Sequence, residues 1–110
     1  MNHIFHTGLE DRWNHFTLVE QMANIGAEVG RTIKWIHKKN KQMSTNALYR
    51  ALELLDFTIK DKKNKNSLKE ILRTREAILD FFIGNNVYNS SNDLWEKYFY
   101  YFISAARKNK

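Results

Sequence analysis

Residues 17–38 read TLVEQMANIGAEVGRTIKWIHK, the longest uninterrupted helical pattern in the chain. Leu18, Met22, Ile25, Val29, Ile33 and Ile36 recur at spacings of 4, 3, 4, 4 and 3, which places them on one stripe of an α-helix. Thr17 and Glu20 form a capping-box pattern, in which a hydroxyl and a carboxylate each meet an orphan backbone donor at the helix start. Ala23, Gly26, Ala27 and Gly30 make a second stripe of small residues. A glycine inside a helix costs about 0.8–1 kcal/mol relative to alanine, so close approach of a neighbouring helix is the expected compensation. The stretch reads as a central strut with partners on two sides.

Composition extends that reading outward. The 110 residues contain no proline and only four glycines, so long helices joined by few turns are expected, in one domain spanning 1–110. Such a chain buries about two-thirds of its unfolded surface, enough for its own core. The absence of cysteine excludes disulfides and thiolate zinc sites. Apolar runs such as Phe81-Phe82-Ile83 fall far short of the ~18 residues that span a bilayer. The N-terminal MNHIFHTGLEDR lacks the basic flank and apolar run of a secretion signal, so a cytoplasmic setting is expected. The net charge of +6, from 18 Lys plus Arg against 12 Asp plus Glu, favours polyanionic partners.

Residues 1–16 form a lead-in, with a short helix over 9–16 anchored by Trp13 and Phe16. After the first long helix, Ser44 is the expected N-cap of a second helix over 45–60, with Leu48, Leu52, Leu55 and Ile59 on one stripe and Ala47, Ala51, Leu54 and Thr58 beside it. DKKNKN, residues 61–66, reads as a polar loop, and Ser67 with Glu70 as a second capping box. The third helix, 68–83, carries Leu68, Ile71, Leu72, Ile78, Leu79 and Phe82, and Gly84 is placed for a left-handed C-terminal cap. Arg75 falls inside that apolar stripe and needs a carboxylate there, with Glu28, Glu53 and Asp56 as the candidates for a structural ion pair. The fourth helix, 93–108, turns Trp95, Tyr98, Phe99, Phe102 and Ala106 inward and leaves Tyr101 outward, for contact with another subunit or for stacking a base.

Up-down-up-down order would put Lys60, Lys62, Lys63 and Lys65 at the same pole as Arg107, Lys108 and Lys110. Lys38, Lys39 and Lys41 would lie at the other pole, where they also complement the C-terminal dipole of the first helix. Side-by-side assembly would turn each pole into a basic face suited to phosphates.

Patterns for chemistry are few. His3, His6, His15 and His37 show no ligand spacing for zinc, and no HExxH, GxSxG or phosphate loop is present, so neither a metal nor a cofactor is expected. Arg31 and His37, in RTIKWIH, resemble the Arg-x(4–6)-His signature of the HEPN ribonucleases, small helical bundles in which the Arg and His of two subunits meet to cleave RNA. That family usually carries the motif late in the bundle, and the polar residue after its arginine would be Thr32.

EQMANIGAEVGR, RALELLDFTI, REAILDFF and LWEKYFYYFISAAR together look like a widespread set of short bacterial four-helix-bundle proteins without assigned biochemistry. In architecture, length and charge the chain is similar to the ribosomal-RNA intervening-sequence proteins and to the Avd accessory proteins of diversity-generating retroelements. The resemblance implies a basic bundle that self-associates and accompanies a reverse transcriptase and nucleic acid; it carries over no functional residue.

The reading is therefore an all-α, antiparallel four-helix bundle, non-enzymatic and homo-oligomeric, binding RNA or a ribonucleoprotein complex through its basic poles. The alternatives are a HEPN-like ribonuclease using Arg31 and His37, and a protein–protein adaptor.

Overall fold

A computed structural model of the chain describes residues 8–108. The described residues form α1 (Leu9–Trp13), α2 (Leu18–His37), α3 (Lys41–Lys60), a 3₁₀ segment (Lys62–Ser67), α4 (Leu68–Phe82) and α5 (Asn92–Lys108), with no strand among them. The architecture is all-α, and four of the five helices are long.

The start of α2 is the expected capping box. Thr17 Oγ1 accepts from the Glu20 amide at 3.1 Å, and Glu20 Oε1 accepts from the Thr17 amide at 2.9 Å. Met22, Ile25, Val29 and Ile33 are buried in the core. Ile36, expected on the same stripe, is 50% exposed, because it sits in the last turn just before the chain reverses at Lys39. The two glycines differ sharply. A Cβ on Gly26 would lie 2.7 Å from Phe99 Cβ, so the bare backbone is what lets α5 seat its buried Phe99 against α2. A Cβ on Gly30 would meet nothing within 4 Å, so the close approach expected along the whole small-residue stripe is made at Gly26 alone of the two.

The second long helix begins at Lys41, four residues earlier than expected, because Asn40 and not Ser44 is its cap. Asn40 Oδ1 accepts from the Met43 amide at 3.0 Å, whereas Ser44 is buried and bonds back to the Lys41 carbonyl. Residues 61–66 are likewise ordered and do not form an open loop. Asp61 caps the 3₁₀ segment through the Lys63 amide at 3.2 Å, and the segment runs straight into α4. Ser67 consequently makes no cap bond, and Glu70 faces a different partner.

That partner is Tyr98 of α5, whose hydroxyl donates to Glu70 Oε2 at 3.0 Å and shares a 2.9 Å bond with Thr74 Oγ1. Burial pushes the Tyr98 phenol up to about 12; the Glu70 charge adds to the shift and the Thr74 hydrogen bond opposes it. Beside it, Trp95 is buried with its Nε1 unpartnered, the only such side-chain atom among the described residues. An unmet buried donor costs about 1–3 kcal/mol.

Two further expectations on α4 change. Leu72 is 46% exposed, at the edge of the helix's buried face of Ile71, Thr74 and Ile78. Gly84 does not take the left-handed conformation: the positive φ angles fall on Asn86 and Asn89. Its role is steric, since a Cβ would come within 3.2 Å of the Asp80 backbone. Asp80 then orders the connection to α5 by accepting from the Val87 and Tyr88 amides at 2.8 and 3.0 Å.

Candidate nucleic-acid interface

The reversal between α2 and α3 is built from three backbone bonds, Lys38 to Lys34, Lys39 to Ile36 and Asn40 to Trp35, with Lys39 at φ 59°. Because α3 starts at Lys41, the lysines of this corner serve two helix ends of opposite polarity. The partly negative C-terminus of α2 abuts the partly positive N-terminus of α3, so the two dipole ends largely offset each other. Lys38, Lys39 and Lys41 remain exposed and make no ion pair with any described residue; the Lys38 ammonium lies 5.3 Å from the Trp35 ring centroid. The first turn of α3 holds no acidic residue. The result is a corner of uncompensated positive charge with orphan helix amides beside it.

The other expected pole is organised by a buried polar network that the sequence reading missed. Gln21 is 0% exposed. Its amide donates to the Trp13 carbonyl at 3.0 Å and to Asp61 Oδ2 at 2.9 Å, and its Oε1 accepts from Asn64 at 2.8 Å. Asn64 also donates to the Thr58 carbonyl, and Trp13 Nε1 donates to Thr58 Oγ1 at 2.9 Å. Burial alone would raise the Asp61 carboxyl, but hydrogen bonds from the Lys63 ammonium, the Gln21 amide and the Lys63 backbone hold it below its usual value. The signal for this network was Gln21 itself, a polar residue three after Leu18 and four before Ile25, on the core stripe.

Lys63 is therefore not a free surface cation. Its ammonium bonds to Asp61 and to the Asn14 carbonyl, tying the 3₁₀ segment to the end of α1. Lys60, Lys62 and Lys65 are exposed around it, and Arg107 and Lys108 are exposed at the end of α5. None of these five pairs with a carboxylate among the described residues. Lys110 lies outside the described residues.

Arg75 bonds to Asp56 through Nε at 2.8 Å, linking α4 to α3. Of the three candidate carboxylates Asp56 is thus the partner; Glu53 borders the same cleft, and Glu28 takes Arg31 at 3.1 Å and Arg50 at 3.4 Å. The Arg75 side chain is not core-facing as expected but about one-third exposed, since its length carries the guanidinium to the helix edge. Arg31 and His37 are not brought together within one chain: they stand about 9 Å apart along α2. Arg31 is held by Glu28, and His37 Nε2 lies 3.5 Å from the Asn92 amide.

No helix among the described residues is long and apolar enough to cross a membrane. No group of three or more His, Cys, Asp or Glu among them converges on a metal position, and His3 and His6 lie outside the described residues. Compared with protein-family models, curated proteins and solved structures, the chain matches none.

Proposed function

We propose that this chain is a non-enzymatic, self-associating accessory protein of the cytoplasm that binds RNA, free or in a ribonucleoprotein complex, through phosphate contacts. The observation that carries the reading is the α2–α3 corner, where Lys38, Lys39 and Lys41 stand unpaired over the acid-free first turn of α3. Lys60, Lys62 and Lys65 supply a second basic surface. Lysine is a flexible point charge and suits phosphate without base discrimination.

Gln21 meets Asp61 while Glu28 meets Arg50, and Phe99 meets Gly26 while Asn92 approaches His37. These pairings support an antiparallel four-helix bundle with α2 between α3 and α5. Exposed Leu94, Tyr100 and Tyr101 on α5 support self-association.

The test is fluorescence anisotropy of a labelled single-stranded RNA titrated at several salt concentrations. Affinity should fall linearly with salt on a log–log plot, and Lys38→Glu/Lys39→Glu/Lys41→Glu should lower the slope by about 2–3. A slope near zero, or a triple variant that binds like the wild type, refutes the reading.

A further inference from the structure

A groove of about 920 Å³ runs between α4 and α5. Three cations line it, Lys69 and Arg73 from α4 and Lys97 from α5, and none pairs with a carboxylate among the described residues. Glu70, which also lines the groove, is engaged by the Tyr98 hydroxyl. Tyr98 and Trp95, which meet edge to face with centroids 6.0 Å apart, supply the aromatic part of the lining. Trp95 is 7% exposed and its Nε1, a donor only, bonds to nothing among the described residues. The groove thus combines unpaired positive charge at its walls with the aromatic surface of Tyr98, and the nearly buried Trp95 borders it.

We propose that this groove holds one unpaired nucleotide of a bound RNA, its phosphate among Lys69, Arg73 and Lys97 and its base against Trp95 and Tyr98. The proposal rests on the RNA-binding reading above for the source of the nucleotide. An inorganic anion would answer only the cations. A base adds a flat apolar face for the Tyr98 ring to stack, and its arrival beside the nearly buried Trp95 changes the ring-current environment of the indole N–H. A base locked in a duplex presents no free face, so the groove adds a preference for single strands that the phosphate-binding lysines lack.

The experiment follows the indole N–H resonances of Trp13, Trp35 and Trp95 by two-dimensional NMR, with Trp95→Phe assigning the third. The protein is titrated with a single-stranded ten-nucleotide oligoadenylate, a ten-base-pair RNA duplex, and adenosine monophosphate. The Trp95 resonance should shift with the single strand and stay in place with the duplex. Arg73→Glu/Lys97→Glu should abolish that shift and weaken single-strand binding at least about fivefold more than it weakens duplex binding. By contrast, Lys38→Glu/Lys39→Glu/Lys41→Glu should weaken both. A shift produced by adenosine monophosphate but by neither RNA would replace RNA with a free nucleotide as the ligand and overturn the proposal as stated. Single-strand binding with a motionless Trp95 resonance and no effect of the groove variant overturns it while the phosphate-binding reading stands. No binding of either RNA at low salt removes both.

Discussion

Gly26 and Gly30 lie one helical turn apart on α2, and adding a methyl group to each should change stability in opposite directions. Gly30→Ala adds its Cβ to open space, so the variant gains only the helix preference of alanine over glycine, about 0.8–1 kcal/mol. In a chain of this size that raises Tm by about 4 °C. Gly26→Ala gains the same preference but sets its Cβ 2.7 Å from Phe99 Cβ, 2.8 Å from Cγ and 2.9 Å from Cδ1. Ordinary contact begins at 3.4 Å, so α2 and α5 must part by about 0.7 Å. Rotation of Phe99 cannot relieve the clash, because its Cβ is fixed to the backbone. Overpacking of this kind costs about 1–3 kcal/mol, and the immobile atom argues for the upper end, leaving a net loss of about 2 kcal/mol. Urea unfolding followed by far-ultraviolet circular dichroism reads the difference, about 3 kcal/mol between the two variants. If Gly26→Ala is as stable as the wild type, the α2–α5 contact is not as close as the reasoning requires.

Gln21→Ala should cost about 2–4 kcal/mol in chemical denaturation, because it opens a cavity and leaves the Trp13 carbonyl and Asp61 short of a donor; a loss under 1 kcal/mol would show the network to be dispensable. The lowered Asp61 carboxyl stabilises the fold fully above its ordinary value of 3.8, and that contribution disappears as pH falls through the lower folded value. Asp61→Asn should therefore flatten the acid limb of a stability–pH profile, and an unchanged limb would assign acid unfolding to other groups. For Tyr98 the sign reverses. Its raised pKa contributes stability that is whole below 10 and lost as pH rises through about 12, so Tyr98→Phe should reduce the alkaline fall in stability, and phenolate absorbance should show one tyrosine ionising near 12. Arg75→Ala should change stability by no more than about 1 kcal/mol, since Arg75 and Asp56 are both partly exposed; a larger loss in thermal melts would mean that the pair is more deeply buried than its exposure indicates.

Sequence periodicity and capping chemistry determined the helical content, the Thr17–Glu20 start of α2 and most of the core, because hydroxyls, carboxylates and apolar spacing act within a few turns of one helix. Gly26 was legible as a place of close approach, although nothing in the local pattern separated it from Gly30; only the position of Phe99 on α5 does that. The partner of Arg75 was narrowed to three carboxylates by charge alone, and the α3–α4 pairing selected Asp56. The earlier start of α3 followed from Asn40, a cap as good as Ser44 by composition, and the choice between them turned on the left-handed Lys39 before it and the burial of Ser44. The polar network of Gln21, Asp61, Asn64, Thr58 and Trp13 joins residues forty or more positions apart, and the α4–α5 groove brings together cations and aromatics from two separate helices. Local pattern specifies what a helix can bury, whereas which polar groups satisfy one another, and which remain unmet, depends on the packing of helices distant in sequence.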